Sequence, residues 1–165
     1  MKKILTLLLL TAASAGFSQA YSGKGDQKAQ VGFSAQKNGS GINLTYDMGA
    51  GENVSFGISG VYLLNSEITT NNLTYNLEFK DRFDLKARFN ANIGNVLKLP
   101  ANIDIYPGLN LGLRNFGAHL GVRYFFTDGF GMYTEMNVPI SRYDKNASDF
   151  NNQFVFNIGA SFNLK

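Results

Sequence analysis

One histidine, His119, stands among 12 acidic and 15 basic side chains in a chain without cysteine. No thiol nucleophile, disulfide framework or thiolate metal site can be built from this set, and no pair of histidines is available to hold zinc. Serine and aspartate are plentiful, so composition alone leaves a Ser/His/Asp set open. A catalytic histidine also needs an orienting partner within hydrogen-bond reach, and none is apparent from its neighbours. The expectation is therefore no enzyme, with no catalytic, metal-ligating or cofactor-binding residues. "GKGD" at 23–26 has neither the spacing nor the following helix of a phosphate loop and reads as a flexible leader. What remains is charge pairing. Arg82, Lys86, Arg88, Arg114 and Arg123 fall at polar positions of alternating segments, as do Asp47, Asp84, Asp104 and Glu135. A mixed-sign ion-pair network with His119 as a member is the chemistry this spacing supports.

Those residues are placed by strands. "DRFDLKARFNANI", residues 81–93, alternates Phe, Leu, Ala or Ile with Arg, Asp, Lys or Asn, and successive side chains of a strand point to opposite faces. The same period recurs along the chain, with Gly, Asn and Asp between segments. It predicts eight strands, at about 27–36, 41–48, 54–64, 81–93, 102–113, 117–126, 130–138 and 153–164. Pro107 falls on the apolar face of the fifth and predicts a bulge or a lost ladder bond, because proline has no N–H to donate. Leu73, Tyr75, Leu77 and Phe79 keep the parity of Phe83 and Leu85, so the hairpin around 65–80 is expected to extend beyond the main sheet. Both long polar connections, 65–80 and 141–152, have odd rank in the chain and fall at one end. "GAGEN" and "TDG" are tight turns at the other. The fold class is all-β, an eight-stranded antiparallel up-and-down barrel.

The start of the chain has a different character. Lys2 and Lys3 precede an almost unbroken apolar run from Ile4 to Ala13, and Ser18-Gln19-Ala20 places small residues before a cut. Residues 1–20 are expected to be a cleaved signal peptide and 21–165 the barrel domain. The apolar run is shorter than the roughly 20 residues a spanning helix needs. Without Lys2 and Lys3 the balance is 13 basic to 12 acidic residues, which argues against a nucleic-acid footprint. The sequons "NLT" at 72–74 and "NAS" at 146–148 are accidental in a bacterial host.

Alternation alone does not decide which face is wet. A greasy interior would make a soluble, lipocalin-like carrier of a small apolar ligand, and a greasy exterior a transmembrane barrel. Eight strands enclose a space that side chains just fill. The polar face carries Gly32, Gly57, Gly108, Gly112, Gly121, Gly131 and Gly159 with several serines, whereas most of the Phe, Leu, Ile and Met lie opposite. The bulky face therefore belongs outside, with Phe33, Phe56, Phe83, Phe89, Leu109, Leu111, Tyr124, Phe126, Phe156 and Phe162 facing lipid. The charged set then lies in a lumen taken to be too narrow for Phe, closed to ions, since aqueous channels need about 16 strands.

"NIGASFNL" at 157–164 resembles the carboxy-terminal signal by which outer-membrane barrels are handed to the assembly machinery, through Asn157, Gly159, Phe162 and Leu164; Lys165 departs from that pattern. Together with "DRFDLKARFNANIG", "YPGLNLGLRNFGAHLGVRYFFTDGFG" and "NNQFVFNIGASFNL", the chain resembles small outer-membrane β-barrel proteins of Gram-negative bacteria, eight-stranded and OmpA/OmpX-like, in a subfamily with no established function. The resemblance implies residence in the outer membrane, lipid and the assembly machinery as partners, no cofactor, and a structural or surface-interaction role such as adhesion or membrane integrity. An external partner of the loops at 65–80 and 141–152 is left unidentified, and a lumenal enzyme is the third reading.

Overall fold

The computed structural model describes residues 19–70, 73–76, 78–144 and 149–164. The expected signal peptide up to Ser18, residues 71, 72 and 77 of the first long connection, 145–148 of the second, and Lys165 lie outside the described residues. The strands are β1 (Gln27–Gln36), β2 (Gly39–Gly49), β3 (Val54–Thr70), β4 (Leu73–Asn76), β5 (Phe83–Ala91), β6 (Ile103–Gly112), β7 (Asn115–Phe125), β8 (Phe130–Arg142) and β9 (Val155–Asn163), with one helical turn, α1 (Phe79–Arg82). Eight of them form a ring in which every pair is antiparallel, closed by β1 on β9 and by β2 on β3. β4 pairs only with the end of β3, so this hairpin does project beyond the ring.

The register fixes the shape. From Asp26, bonded to Gly49, the pairing runs through Ser55, Asn90, Gly108, His119, Asn137 and Val155 and returns to β1 at Gln36 rather than at residue 26. A shift of ten residues over eight strands, at about 3.3 Å per residue and 4.8 Å per strand, tilts the strands by roughly 40° and sets a backbone radius of about 8 Å. Side chains from all eight strands must share that interior.

Two expectations are corrected, and of the bulge or lost bond expected at Pro107 the lost bond is found. The fourth predicted strand begins at Phe83 rather than Asp81: Asp81 and Arg82 belong to α1, where Phe79 stacks on Phe83 at 6.0 Å and meets Tyr62 at 5.7 Å. Pro107 makes no bulge, since β6 and β7 pair through it as Pro107↔Leu120. The interruption lies on the other side, where the β5–β6 ladder stops at Asn90↔Gly108. "YSGKGD" is not a free leader. Gly23 and Gly25 adopt positive φ (91° and 87°), which lets the segment fold back across the turn end. There the Tyr21 hydroxyl lies 2.7 Å from the Val54 carbonyl and 2.9 Å from that of Gly51.

Candidate functional site: the barrel interior

Inward positions of the strands carry four buried cations, Lys28, Lys86, Arg88 and Arg123, and four buried anions, Asp47, Asp84, Asp104 and Glu135. This set is neutral, as burial of ions in so small a space demands. At its centre Arg88 donates through Nη2 to Glu135 Oε2 at 2.5 Å and places Nε 3.3 Å from Asp47 Oδ1. Arg123 holds the other oxygen of Asp47 and lies 3.8 Å from Asp104. Its guanidinium also covers the Tyr106 ring at 3.8 Å from the centroid, a cation–π contact that becomes stronger where water is excluded. Towards the turn end Lys28 donates to Asp26 at 2.6 Å and to Asn163 at 2.7 Å. Towards the loop end Asn137 donates to Glu135 at 3.0 Å and accepts from Asn110 at 2.8 Å. Lys86 lies 3.6 Å from Asp84.

His119 sits inside this set, 2.7 Å from Asn90 Oδ1 through Nε2, while Asn90 in turn donates to Ser55 at 2.9 Å. An amide oxygen orients this imidazole where a triad would have a carboxylate. No cluster of three or more His, Asp or Glu suited to a metal occurs among the described residues.

Two expected members of the network lie elsewhere. Arg82 is on α1, and Arg114 follows β6 and bonds Asp81 of α1 at 3.2 Å, so both stand at the loop-end mouth. The periodicity carried them into the strand faces because parity continues through a turn whose geometry does not. Asp47, Asp84, Lys86, Arg88, Asp104, His119, Arg123 and Glu135 all point inward and are buried.

The interior also holds large rings, contrary to the expectation that it excludes Phe. Tyr106, Phe125 and Tyr133 are fully or almost fully buried. Each lies over a glycine of another strand. A Cβ at Gly121 would overlap the Tyr106 ring, one at Gly131 would lie 2.9 Å from Phe125 Cγ, and one at Gly32 would lie 2.6 Å from the Tyr133 hydroxyl. His119 lies in the same way over Gly108. Glycine on a strand thus marks close approach by a neighbour. Cross-strand glycines at registers such as Tyr106↔Gly121 and Phe125↔Gly131 were the available signal.

Segments of chain pack against both ends of the ring. At the turn end Ala20 is fully buried and donates its N–H to Ala101 at 2.7 Å. Burial, followed by the charges of Asp26 and Asp104, pushes the Tyr21 phenol up to about 12. At the loop end Phe150 packs on Val61 and Leu63, and Asn115 donates to Asn151 O at 2.7 Å and Asn152 Oδ1 at 2.8 Å. Part of the 141–152 connection, expected to be displayed, is therefore turned inward.

The outer face is apolar. Phe33, Phe56, Phe89, Leu109, Leu111, Tyr124, Phe126 and Phe162 are exposed, and Phe83 and Phe156 are half-exposed. The apolar face is thus turned outward, away from the enclosed interior, which removes the lipocalin-like alternative. Aromatics gather at two levels. Tyr124, Phe126, Phe130 and Phe162 form a contiguous set at the turn end, and Phe56 and Phe89 meet at 5.2 Å across β3 and β5. Tyr62, Phe79 and Phe83 lie at the loop end. Along β8 the exposed residues run from Phe130 to Ile140, a height of about 25 Å at the tilt above. Of the carboxy-terminal set, Asn157 and Gly159 lie on the inner face and Phe162 and Leu164 on the outer, with Leu164 bonded to Gln27 across the β1–β9 seam.

No helix among the described residues is long and apolar enough to cross a membrane. Among solved structures, a designed transmembrane β-barrel aligns with 87% of this chain and 98% of its own at 9% identity, with a TM-score of 0.54, and shares the fold. Outer membrane protein G from Pseudomonas aeruginosa, solved in solution by NMR, aligns with 88% of this chain and all of its own at 12% identity, with a TM-score of 0.48. No curated protein matches the sequence. Residues 11–164 match a family described only as a family of unknown function (DUF6646).

Proposed function

Because the chain belongs to the family of unknown function DUF6646, whose description assigns no activity, we propose from the geometry that it is an integral barrel of the bacterial outer membrane. In this reading it is exported by a cleaved signal peptide and serves a structural or surface-interaction role without an open pore. The observation that carries the proposal is the inversion of the two faces: eight charged side chains in a neutral buried set inside, and an apolar band about 25 Å tall outside, the height of the lipid-facing band of outer-membrane barrels. In water that band would far exceed the few hundred Å² of contiguous apolar surface a soluble monomer tolerates. Phe162 and Leu164, with Asn157 and Gly159, would engage the assembly machinery. The β3–β4 hairpin and α1, beyond the loop-end aromatics, are the parts available to an external partner or to neighbouring lipid headgroups. A non-catalytic reading is supported by Asn90, rather than a carboxylate, orienting His119.

Fractionation of cells producing the full chain tests this. The mature protein is expected with outer-membrane markers, extractable only by detergent and without steady large conductance in planar bilayers. Recovery as a detergent-free soluble monomer refutes the membrane reading, and a persistent large pore refutes the occluded lumen.

A further inference from the structure

We propose that the signal peptide is cut between Ser18 and Gln19, two residues before the bond that the Ser18-Gln19-Ala20 pattern first suggests, so that Ala20 and Tyr21 stay with the folded barrel. The proposal rests on the export reading above. Two bonds satisfy the small-residue requirement equally: Gly16 and Ser18 precede one at the third and first positions, and Ser18 and Ala20 precede the other.

The turn end distinguishes them. Ala20 is 0% exposed, and its N–H donates to the Ala101 carbonyl at 2.7 Å. Tyr21 is 5% exposed, with its hydroxyl between the Val54 and Gly51 carbonyls. Hydrolysis after Ala20 would remove the packed methyl and leave the Ala101 carbonyl without that donor. It would also create an α-ammonium on the buried Tyr21, where a charge lacks water. Hydrolysis after Ser18 adds water across the Ser18–Gln19 bond, leaves the carboxylate on the released peptide and puts the ammonium on Gln19. That residue is exposed, and its carbonyl accepts from Asn163 Nδ2 at 3.4 Å, so the new terminus is held beside the β1–β9 seam. The glycine-turned segment 19–26 is then a fixed element of the turn end, retained whole in the mature protein.

Intact mass and amino-terminal peptide mass of the membrane-extracted protein, produced from the full chain in a Gram-negative host, test the proposal. The expected terminus is Gln19, with or without loss of one ammonia by cyclisation of an amino-terminal glutamine. A terminus at Tyr21, or at any other processed position, overturns this inference while leaving export standing. An uncut chain starting at Met1 overturns the export reading itself. Two variants read the same question before folding intervenes. Gly16→Leu is expected to abolish the Gln19 terminus, leaving precursor or a terminus at Tyr21, whereas Ala20→Leu is expected to give the Gln19 terminus as the parent does. The opposite pattern overturns the proposal.

Discussion

Replacing Glu135 with Gln keeps the shape of the side chain and its contact with Asn137 but removes the charge that faces Arg88 Nη2 at 2.5 Å. Removing one partner of a buried pair costs about 3–5 kcal/mol, because the remaining ion is left without compensation. Here Asp47 still lies 3.3 Å from Arg88, but it is shared with Arg123, so it offsets only part of the loss. The lower end, about 3 kcal/mol, is expected, which is roughly a hundredfold in the unfolding equilibrium. Replacing both members, Arg88→Met with Glu135→Leu, leaves three cations and three anions in the buried set and is expected to recover stability to within about 1 kcal/mol of the parent. Urea unfolding in lipid vesicles, read by the gel mobility difference between folded and unfolded barrel, gives both numbers. If Glu135→Gln costs less than about 0.5 kcal/mol, Arg88 is hydrated and the interior is wet. If the double variant is as unstable as the single one, the loss arises from packing rather than from an orphaned charge.

Depth gives a second test. Leu120 is exposed at the middle of β7, and Leu120→Arg should cost about 2–4 kcal/mol in vesicles. Tyr124 lies four residues nearer the turn end on the same strand, about 10 Å lower at the tilt above, so at Tyr124→Arg the cost of charge in lipid should fall below about 1 kcal/mol. Equal costs at the two sites would refute the assigned span. The Tyr21 phenol is raised to about 12 in the folded state, above its ordinary value near 10. Its neutral form is the one the fold favours, so stability should hold up to about pH 10 and decline from there as pH rises towards 12. Tyr21→Phe should flatten that alkaline decline, and an unchanged alkaline limb in the unfolding profile would show that the phenol is not confined at the turn end.

Most of the barrel was legible because alternation is a local signal with a global consequence: one apolar face per strand, repeated eight times, closes in few ways. The inward set from Asp47 to Glu135 followed from parity. What parity lacked was distance. Arg82 and Arg114 kept the polar phase, but α1 and the β6–β7 connection carry them to the mouth. Lys28 was passed over although it follows the same rule, and it is buried and paired with Asp26 towards the turn end. The expectation of a lumen too narrow for Phe failed because Tyr106, Phe125 and Tyr133, which share the phase of the charged residues, each lay a ring over a glycine of another strand. The leader and Phe150 were illegible for a different reason. Their burial depends on contacts with Val54, Ala101, Val61 and Leu63, distant in sequence, and glycines or polar residues around them carry no period.

The central claim is that the charged face is the lumen and the apolar face meets lipid. The chain contains no tryptophan, so a single introduced indole reports its own surroundings. Leu120→Trp and His119→Trp are neighbours at the middle of β7, one outward and one inward. In vesicles of lipid brominated at mid-chain, the account predicts strong quenching at position 120 and little at position 119. Quenching that is equal at the two sites, or reversed, would contradict it.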